Sequence, residues 1–134
     1  MDRAVNCIML IDDNKIDNFF HERIIKKSNA ASVILPYGSA KNALAYLQNS
    51  DSGPIPEIIF LDINMPVMDG WEFIEEYKKL EIKGTLIVIF TSDYKDPEDE
   101  VLEAIKDNFA ILKPKPLTKE ILEEVLEKYY ISKK

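Results

Sequence analysis

The sequence has little of several features that define whole classes of protein. A single cysteine, Cys7, excludes an internal disulfide and is compatible with a reducing compartment. No apolar stretch is long enough to span a bilayer, and the first apolar run ends in two aspartates, unlike a signal sequence. Internal repeats and low-complexity segments are also missing. We therefore expect a cytoplasmic protein with no membrane insertion.

Basic residues are in deficit as well. The chain has 17 Lys and Arg residues against 24 Asp and Glu residues, which gives a net charge of -7. Domains that bind nucleic acid usually show the opposite balance, because they neutralise phosphates. We expect no nucleic acid among the partners. A length of 134 residues with 46% hydrophobic content suits one core, so we expect a single domain over residues 1–134.

The chain does contain a regular alternation of short apolar runs and amphipathic stretches. The apolar runs are typical of parallel strands buried on both faces, and the amphipathic stretches are typical of the helices that cover them. The strands are predicted at 7–11, 32–35, 57–61, 85–90 and 109–112, and the helices at 15–27, 40–48, 71–80, 97–106 and 119–130. Right-handed crossovers place helices on both faces of such an α/β sheet. His21, the only histidine, is predicted to be a solvated residue on the polar part of the first helix.

Polar residues stand at the ends of four predicted strands. They are Asp12 and Asp13, Asp62, Thr91 and Lys113. The carboxyl ends of parallel strands form one edge of the sheet, and ligands bind outside that edge. Three carboxylates, a hydroxyl and an ammonium would therefore meet there, although they are far apart in the sequence. Such a set suits a divalent cation and a phosphoryl group.

The electrostatics of three neighbouring carboxylates call for a positive partner. One like-charge pair at ~4 Å costs on the order of 4 kcal/mol at intermediate dielectric. A hard cation such as Mg²⁺ fits, because it takes oxygen ligands, keeps several waters and typically uses one or two carboxylates. Lys113 would supply a second positive charge. Without the metal, we expect at least one carboxylate with a raised pKa.

An ionised carboxylate beside a metal and a lysine can also attack phosphorus and form an aspartyl phosphate. Asp62 is the best candidate, because the loop at 63–70 constrains its surroundings, whereas Asp12 and Asp13 occupy a strand-to-helix turn suited to metal. Thr91 could hydrogen-bond one phosphoryl oxygen. Taken singly, each residue also has a structural interpretation, since strand-end aspartates often cap helices and Thr favours strands.

Four strings of the sequence match a known family. They are LIDDN at 10–14, LDINMPVMDG at 61–70, TS at 91–92 and KP at 113–114. Together and in this order they resemble the receiver domain of bacterial two-component response regulators, of the stand-alone, chemotaxis-regulator-like type. The resemblance covers nearly the whole chain. It implies the flavodoxin-like fold, a three-layer (βα)5 sandwich around a five-stranded parallel sheet of order 2-1-3-4-5.

The resemblance implies an acceptor and a Mg²⁺ site. Asp62 would be the phosphoacceptor and would also contact the metal. Asp13 would be a direct Mg²⁺ ligand, and Asp12 would hold metal-bound water. Asn64, two residues after the acceptor, would offer its backbone carbonyl to the metal.

The resemblance also assigns the residues around the phosphoryl group. Thr91 would donate a hydrogen bond to it, and Lys113 would bridge the phosphoryl group and a carboxylate. The side chains at Asn64 and Asp93 would tune the lifetime of the phosphoryl group. In the family, the peptide bond before the proline, here Pro114, is commonly cis.

One position departs from the family pattern. Family members usually carry Tyr or Phe three residues before the lysine, and its ring turns inward with the Thr on phosphorylation. Counted from Lys113, that position is Ala110, while Phe109 should face the opposite way by strand alternation. The usual aromatic switch is therefore missing from the predicted site.

The predicted function is to accept a phosphoryl group on Asp62 from a sensor histidine kinase or a histidine phosphotransfer protein, with Mg²⁺ as cofactor. The protein would catalyse only its own phosphorylation and dephosphorylation. Since little follows the last helix, it would act through contacts with an unidentified downstream protein. Two alternatives stay open. The first is a phosphorylation-independent adaptor with the receiver fold, which Ala110 slightly favours and the complete acidic site argues against. The second is an aspartate-nucleophile phosphatase, which generally needs a second Asp where this chain has Asn64.

Overall fold

The computed structural model describes residues 4–49, 51, 53–91 and 110–132. Within them lie five strands and four helices. The strands are β1 (Val5–Ile11), β2 (Ala31–Tyr37), β3 (Ile58–Asp62), β4 (Leu86–Thr91) and β5 (Ala110–Pro114), and the helices are α1 (Lys15–Lys27), α2 (Ala40–Gln48), α3 (Gly70–Lys79) and α4 (Lys119–Ser132). The first two helices begin and end where the sequence predicts, and the other described elements differ by one or two residues. The predicted helix 97–106 lies outside the described residues.

The five strands form one parallel sheet of order β2-β1-β3-β4-β5. This is the flavodoxin-like order, so the predicted fold class is confirmed. The register brings the carboxyl ends of the central strands level, because Ile11 pairs with Leu61 and Asp62 pairs with Phe90. Residues that follow β1 and residues that end β3 therefore meet at one edge.

Side-chain alternation along the strands divides the core into two layers. One layer packs against α2 and α3, and its buried sheet residues are Met9, Ile11, Ile59, Leu61, Ile87, Ile89 and Ala110. The other packs against α1 and α4, and its buried sheet residues are Val5, Ile8, Leu10, Ile58, Phe60, Leu86, Val88 and Phe90. Both faces of the central strands are thus buried, which explains their unbroken apolar sequence. The site residues extend from this rigid sheet.

The described helices are those of a packed α/β sandwich. Among the residues that the structure describes, no helix is both long enough and apolar enough to cross a membrane.

Candidate functional site

Three carboxylates meet at the carboxyl edge of the sheet, as the sequence predicts. Asp12 follows β1 directly, Asp62 is the last residue of β3, and one oxygen from each of Asp12, Asp13 and Asp62 lies within 4.8 Å of the others. Asp12 and Asp62 are buried, whereas Asp13 is exposed to solvent. Carboxylate oxygens at this spacing are the donor set that a hard divalent cation takes, so the cluster fits such an ion.

Backbone and side-chain hydrogen bonds fix the turn that carries Asp12. Its Oδ1 accepts from the Asn14 N–H at 2.9 Å, and the Asn14 side chain in turn caps the first turn of α1. From the next turn, Asn18 Nδ2 donates to the carbonyl oxygens of Asp12 and Tyr37, at 3.0 Å each. The carboxylate of Asp12 is therefore held rigidly at the edge of the sheet.

Backbone contacts and a helix cap also fix the loop that follows Asp62. Gly70, the first residue of α3, donates its N–H to the Ile63 carbonyl at 3.0 Å. A Cβ on Gly70 would lie 2.9 Å from Ile63 Cα and 3.0 Å from the Asp62 carbonyl oxygen, so the start of α3 rests on the end of β3. Asp69 caps α3 through a capping box with Glu72. These contacts set the direction in which Asp62 leaves its strand.

The lysine at this site is Lys115, and the prediction that Lys113 occupies it is wrong. Lys115 Nζ lies 2.5 Å from an oxygen of Asp12, 2.9 Å from one of Asp17 and 3.7 Å from one of Asp62. Lys113 instead pairs with Glu124 on α4.

The physical reason for the error lies in the length of β5. The sequence has two Lys-Pro pairs in a row, and β5 continues to Pro114, two residues beyond its predicted end. Lys113 is therefore still a strand residue that faces α4, and Lys115 is the lysine that leaves the end of the strand. The cis peptide bond lies between Lys115 and Pro116, whereas the family resemblance implies one between Lys113 and Pro114.

Because the site lysine is Lys115, the position at which the family usually has an aromatic ring must be counted from Lys115. Three residues before Lys115 stands Leu112, whose side chain is 36% exposed, whereas Ala110 is buried at 1%. Leu112 is not aromatic either. The residue at the aromatic position is therefore Leu112 and not Ala110. That the usual aromatic switch is missing stays a prediction.

The structure describes two of the three remaining predicted site residues, Thr91 and Asn64. Thr91 ends β4 and pairs with Pro114 of β5, so its backbone lies at the same edge of the sheet as Asp62. Asn64 is exposed, and its backbone N–H donates a hydrogen bond to the Asp62 carboxylate. The roles given to the Asn64 carbonyl and to Thr91 stay predictions. Asp93 lies outside the described residues.

Burial and neighbouring charges perturb the acid–base properties of the site. Burial raises the pKa of Asp62 above its ordinary value, and the charges of Asp12 and Asp13 add to that effect, whereas Lys115 and the Asn64 N–H oppose it. A carboxylate with a raised pKa was expected here. For Lys115, burial alone would lower the pKa, but the contacts with Asp12, Asp17 and Asp62 raise it overall, so the ammonium stays charged.

The charge balance favours a cation. Among the described residues, the Lys115 ammonium faces the carboxylates of Asp12, Asp17 and Asp62, and Asp13 lies beside them. One positive charge cannot offset four negative charges in a partly buried site. A divalent cation in the cluster would offset most of the remaining negative charge.

Two contributors to the site are missed by sequence reasoning, and both lie on α1. Asp17 pairs with Lys115, and His21, expected to be solvated, is only 2% exposed. His21 Nε2 accepts the Leu117 N–H at 3.3 Å, and its ring lies 5.1 Å from that of Phe90. The helical spacing of Asn18, His21 and Ile25 could have predicted the burial of His21, because these three residues form the buried stripe of α1.

A flavodoxin-like fold with clustered carboxylates and a lysine at one sheet edge defines a class of protein whose site suits a divalent cation and a phosphoryl group. The response regulator receiver domain family matches residues 8–127 of the chain. The chain therefore belongs to the response regulator receiver domains, and receiver domains are signalling phosphoacceptors.

The relatives agree with this assignment. Response regulator Rcp1 of Synechocystis sp. is 29% identical over 99 residues, covering 71% of this chain and 66% of the relative. Hybrid signal transduction histidine kinase C of Dictyostelium discoideum is 29% identical over 135 residues, covering 95% of this chain but 10% of that protein. The chain thus spans less than two thirds of these curated relatives.

Solved structures support the fold. A two-component response regulator from Cytophaga hutchinsonii superimposes with a TM-score of 0.82 at 26% identity, covering 96% of this chain and 98% of that one. The Vibrio cholerae chemotaxis protein CheY4 superimposes with a TM-score of 0.72 at 21% identity, covering 94% and 99% of the two chains. The second likeness shows the fold alone.

Proposed function

We propose that the chain accepts a phosphoryl group on Asp62, from a sensor histidine kinase or a histidine phosphotransfer protein, in a Mg²⁺-dependent reaction. The observation that supports this most is the convergence of Asp12, Asp13, Asp62 and Lys115 at one sheet edge. Phosphoryl transfer requires positioning and neutralisation of charge more than covalent chemistry from the protein. The sheet edge positions the carboxylates, and Lys115 together with a bound Mg²⁺ would neutralise the charge.

Asp62 is the proposed nucleophile because the other buried carboxylate is already engaged. Asp12 accepts from Asn14 through one oxygen and lies 2.5 Å from Lys115 through the other. Asp62 lies farther from the ammonium, at 3.7 Å, and ends the central strand of the sheet. One of its oxygens would form a bond to phosphorus as the phosphorus–nitrogen bond to the donor histidine breaks. Hydrolysis would later return the carboxylate and inorganic phosphate.

The proposal gives a role to each of the surrounding residues. Mg²⁺, when bound, would neutralise charge on the phosphoryl oxygens. Asp13, which is exposed, would be a direct ligand, and Asp12 would hold metal-bound water. Asn64 would contribute its backbone carbonyl. Lys115 would pair with a phosphoryl oxygen, since its ammonium is already within reach of Asp62.

Two further roles concern the bound phosphoryl group itself. Thr91, whose backbone lies at the same edge, is proposed to donate a hydrogen bond to it. The side chains of Asn64 and Asp93 are proposed to tune its lifetime.

The domain organisation and output are part of the proposal. We propose one receiver domain over residues 1–134 that acts through contacts with a downstream protein. The Cytophaga hutchinsonii chain, of which this chain covers 98%, supports a receiver of this size. The longer curated relatives show that receiver domains also occur within larger proteins.

The test is incubation with acetyl phosphate and Mg²⁺, followed by intact-mass measurement. The wild type and Lys113→Ala should each gain one phosphoryl group, because Lys113 pairs with Glu124 outside the site. Asp62→Asn and a magnesium-free sample should gain none, and Lys115→Ala should gain it far more slowly. An adduct on Asp62→Asn, or equal rates for the two lysine variants, would contradict the proposal.

A second candidate is a phosphorylation-independent adaptor. Leu112 at the expected aromatic position favours it, because the usual inward-turning ring is missing there. Beryllofluoride, a stable phosphoryl mimic, separates the two functions. If it fails to bind with Mg²⁺ present, and no acetyl phosphate adduct forms, the adaptor function is the better account.

A further inference from the structure

Helix α1 contacts the segment that follows β5 at two points. Asp17 Oδ2 accepts from Lys115 Nζ at 2.9 Å, and His21 Nε2 accepts the Leu117 N–H at 3.3 Å. Asp17 and His21 are four residues apart on α1, so they lie on one face, one turn apart. The helix therefore holds both the side chain of Lys115 and the backbone two residues beyond it.

The hydrogen bond between His21 and the Leu117 N–H fixes the backbone close to Lys115. His21 and Leu117 are both buried, and the Thr118 side chain caps α4 immediately afterwards, accepting the Ile121 N–H at 3.1 Å. The segment between β5 and α4 is thus anchored at its far end. What stays adjustable is the long side chain of Lys115, whose rotamer freedom must be restricted by partners.

The two close partners of that ammonium differ in one respect. Asp12 belongs to the cluster that could hold a cation, together with Asp13 and Asp62, and Asp17 is not one of these residues. A cation bound in the cluster would share the charge of Asp12 and weaken its attraction for Lys115. Asp17, which is 35% exposed, keeps its charge available to the ammonium in that state.

We propose that Asp17 is a positioning residue for the phosphoryl chemistry, which keeps the Lys115 ammonium beside Asp62 when Mg²⁺ occupies the cluster. The inference deepens the proposed function and rests on it, because the reaction served is phosphorylation of Asp62. Asp17 acts through Lys115 and does not itself touch the reacting atoms.

The first test measures the position of Lys115 without any phosphoryl transfer. Lysines are acetylated with an N-hydroxysuccinimide ester at saturating Mg²⁺, and peptide mass spectrometry gives the ratio of modification at Lys115 to that at Lys113. Asp17→Ala should raise this ratio several-fold, and Asp17→Asn, which keeps an acceptor, should raise it less. Glu22→Ala removes the same charge from the same helix at a residue paired with Lys26, and should leave the ratio unchanged. An unchanged ratio in Asp17→Ala overturns the proposal.

The second test separates the rate from metal affinity. Initial rates of adduct formation with acetyl phosphate are measured across a Mg²⁺ titration. Asp17→Ala should lower the limiting rate about tenfold at saturating Mg²⁺ and donor, the size expected for one lost charge-assisted contact, while Glu22→Ala should not. A merely structural role would shift the unfolding midpoint and leave the limiting rate of the folded fraction alone, which would overturn the proposal. If the wild type forms no adduct, the proposed function fails, and the acetylation ratio still decides whether Asp17 holds Lys115.

Discussion

Gly70→Ala is expected to destabilise the protein, although Ala is the better helix former. Gly70 is the first residue of α3, where the helix meets the end of β3. An alanine Cβ there would lie 2.9 Å from Ile63 Cα and 3.0 Å from the Asp62 carbonyl oxygen. Both contacts are with backbone atoms, so no side chain can rotate to relieve them. The helix start and the strand end must separate.

The size of the effect follows from opposing contributions. Helix propensity favours Ala over Gly by about 1 kcal/mol. Overpacking costs roughly 1–3 kcal/mol, and weakening of the Gly70–Ile63 hydrogen bond costs about 1 kcal/mol more. We therefore expect a net loss of about 1–3 kcal/mol. Since the moving backbone is that of Asp62, phosphorylation should also slow on the order of tenfold.

The assay is urea unfolding followed by far-ultraviolet circular dichroism, with Gly38→Ala as the matched control. A Cβ on Gly38 would have no atom within 4 Å, so this substitution should be neutral or stabilising by about 0.5 kcal/mol. The free energy of unfolding should therefore fall for Gly70→Ala. For Gly38→Ala it should stay the same or rise. If Gly70→Ala is as stable as Gly38→Ala, the close approach of α3 to Asp62 is not a constraint and the reasoning is refuted.

Three further predictions concern other parts of the chain. Val67 has a φ of 70° and is 92% exposed, so Val67→Gly should relieve backbone strain and stabilise the protein by about 1 kcal/mol; a lower melting temperature would contradict this. Burial and the charge of Lys115 lower the pKa of His21 from its ordinary 6.5, so the unfolded chain takes up the proton first and stability is lost as the pH falls below that value. His21→Gln should lose less stability than the wild type between neutral pH and about 5.5, and equal losses would show that His21 is not held neutral. Burial raises the pKa of Cys7 to about 11, so iodoacetamide should modify the thiol only after unfolding, and rapid labelling of the native protein would exclude this placement.

Most of the fold could be predicted because burial on both faces leaves a direct mark on the sequence. Strands such as β3 and β4 are continuous apolar runs, and each run ends where the chain reaches the polar edge of the sheet. The same edge effect locates Asp12, Asp13 and Asp62. Strand order, by contrast, came from the family resemblance, since periodicity carries no information on which strands are neighbours.

The lysine could not be predicted because local pattern is ambiguous where two Lys-Pro pairs follow each other. The choice between Lys113 and Lys115 depends on where β5 ends, and strand ends are set by the sheet. The pairing of Thr91 with Pro114 shows that β4 supports β5 two residues farther than its apolar run suggests.

The contacts of α1 with the segment after β5 could not be predicted from the sequence for a different reason. Asp17 and Lys115 are 98 residues apart in sequence, and their pairing depends on the packing of α1 beside the end of β5. Asp17 alone looks like a favourable acidic residue in the first turn of a helix. Only the three-dimensional placement of the lysine gives it a second role.

The central claim is that the phosphoryl group is carried as an acyl phosphate on Asp62. The most direct measurement is borohydride reduction of the protein after incubation with acetyl phosphate and Mg²⁺, followed by peptide mapping, because an acyl phosphate of aspartate is reduced to homoserine. The account predicts homoserine at position 62 alone, and none when Mg²⁺ is omitted. Homoserine at position 12 or 13, or a phosphoryl group that borohydride leaves intact on His21, would contradict it.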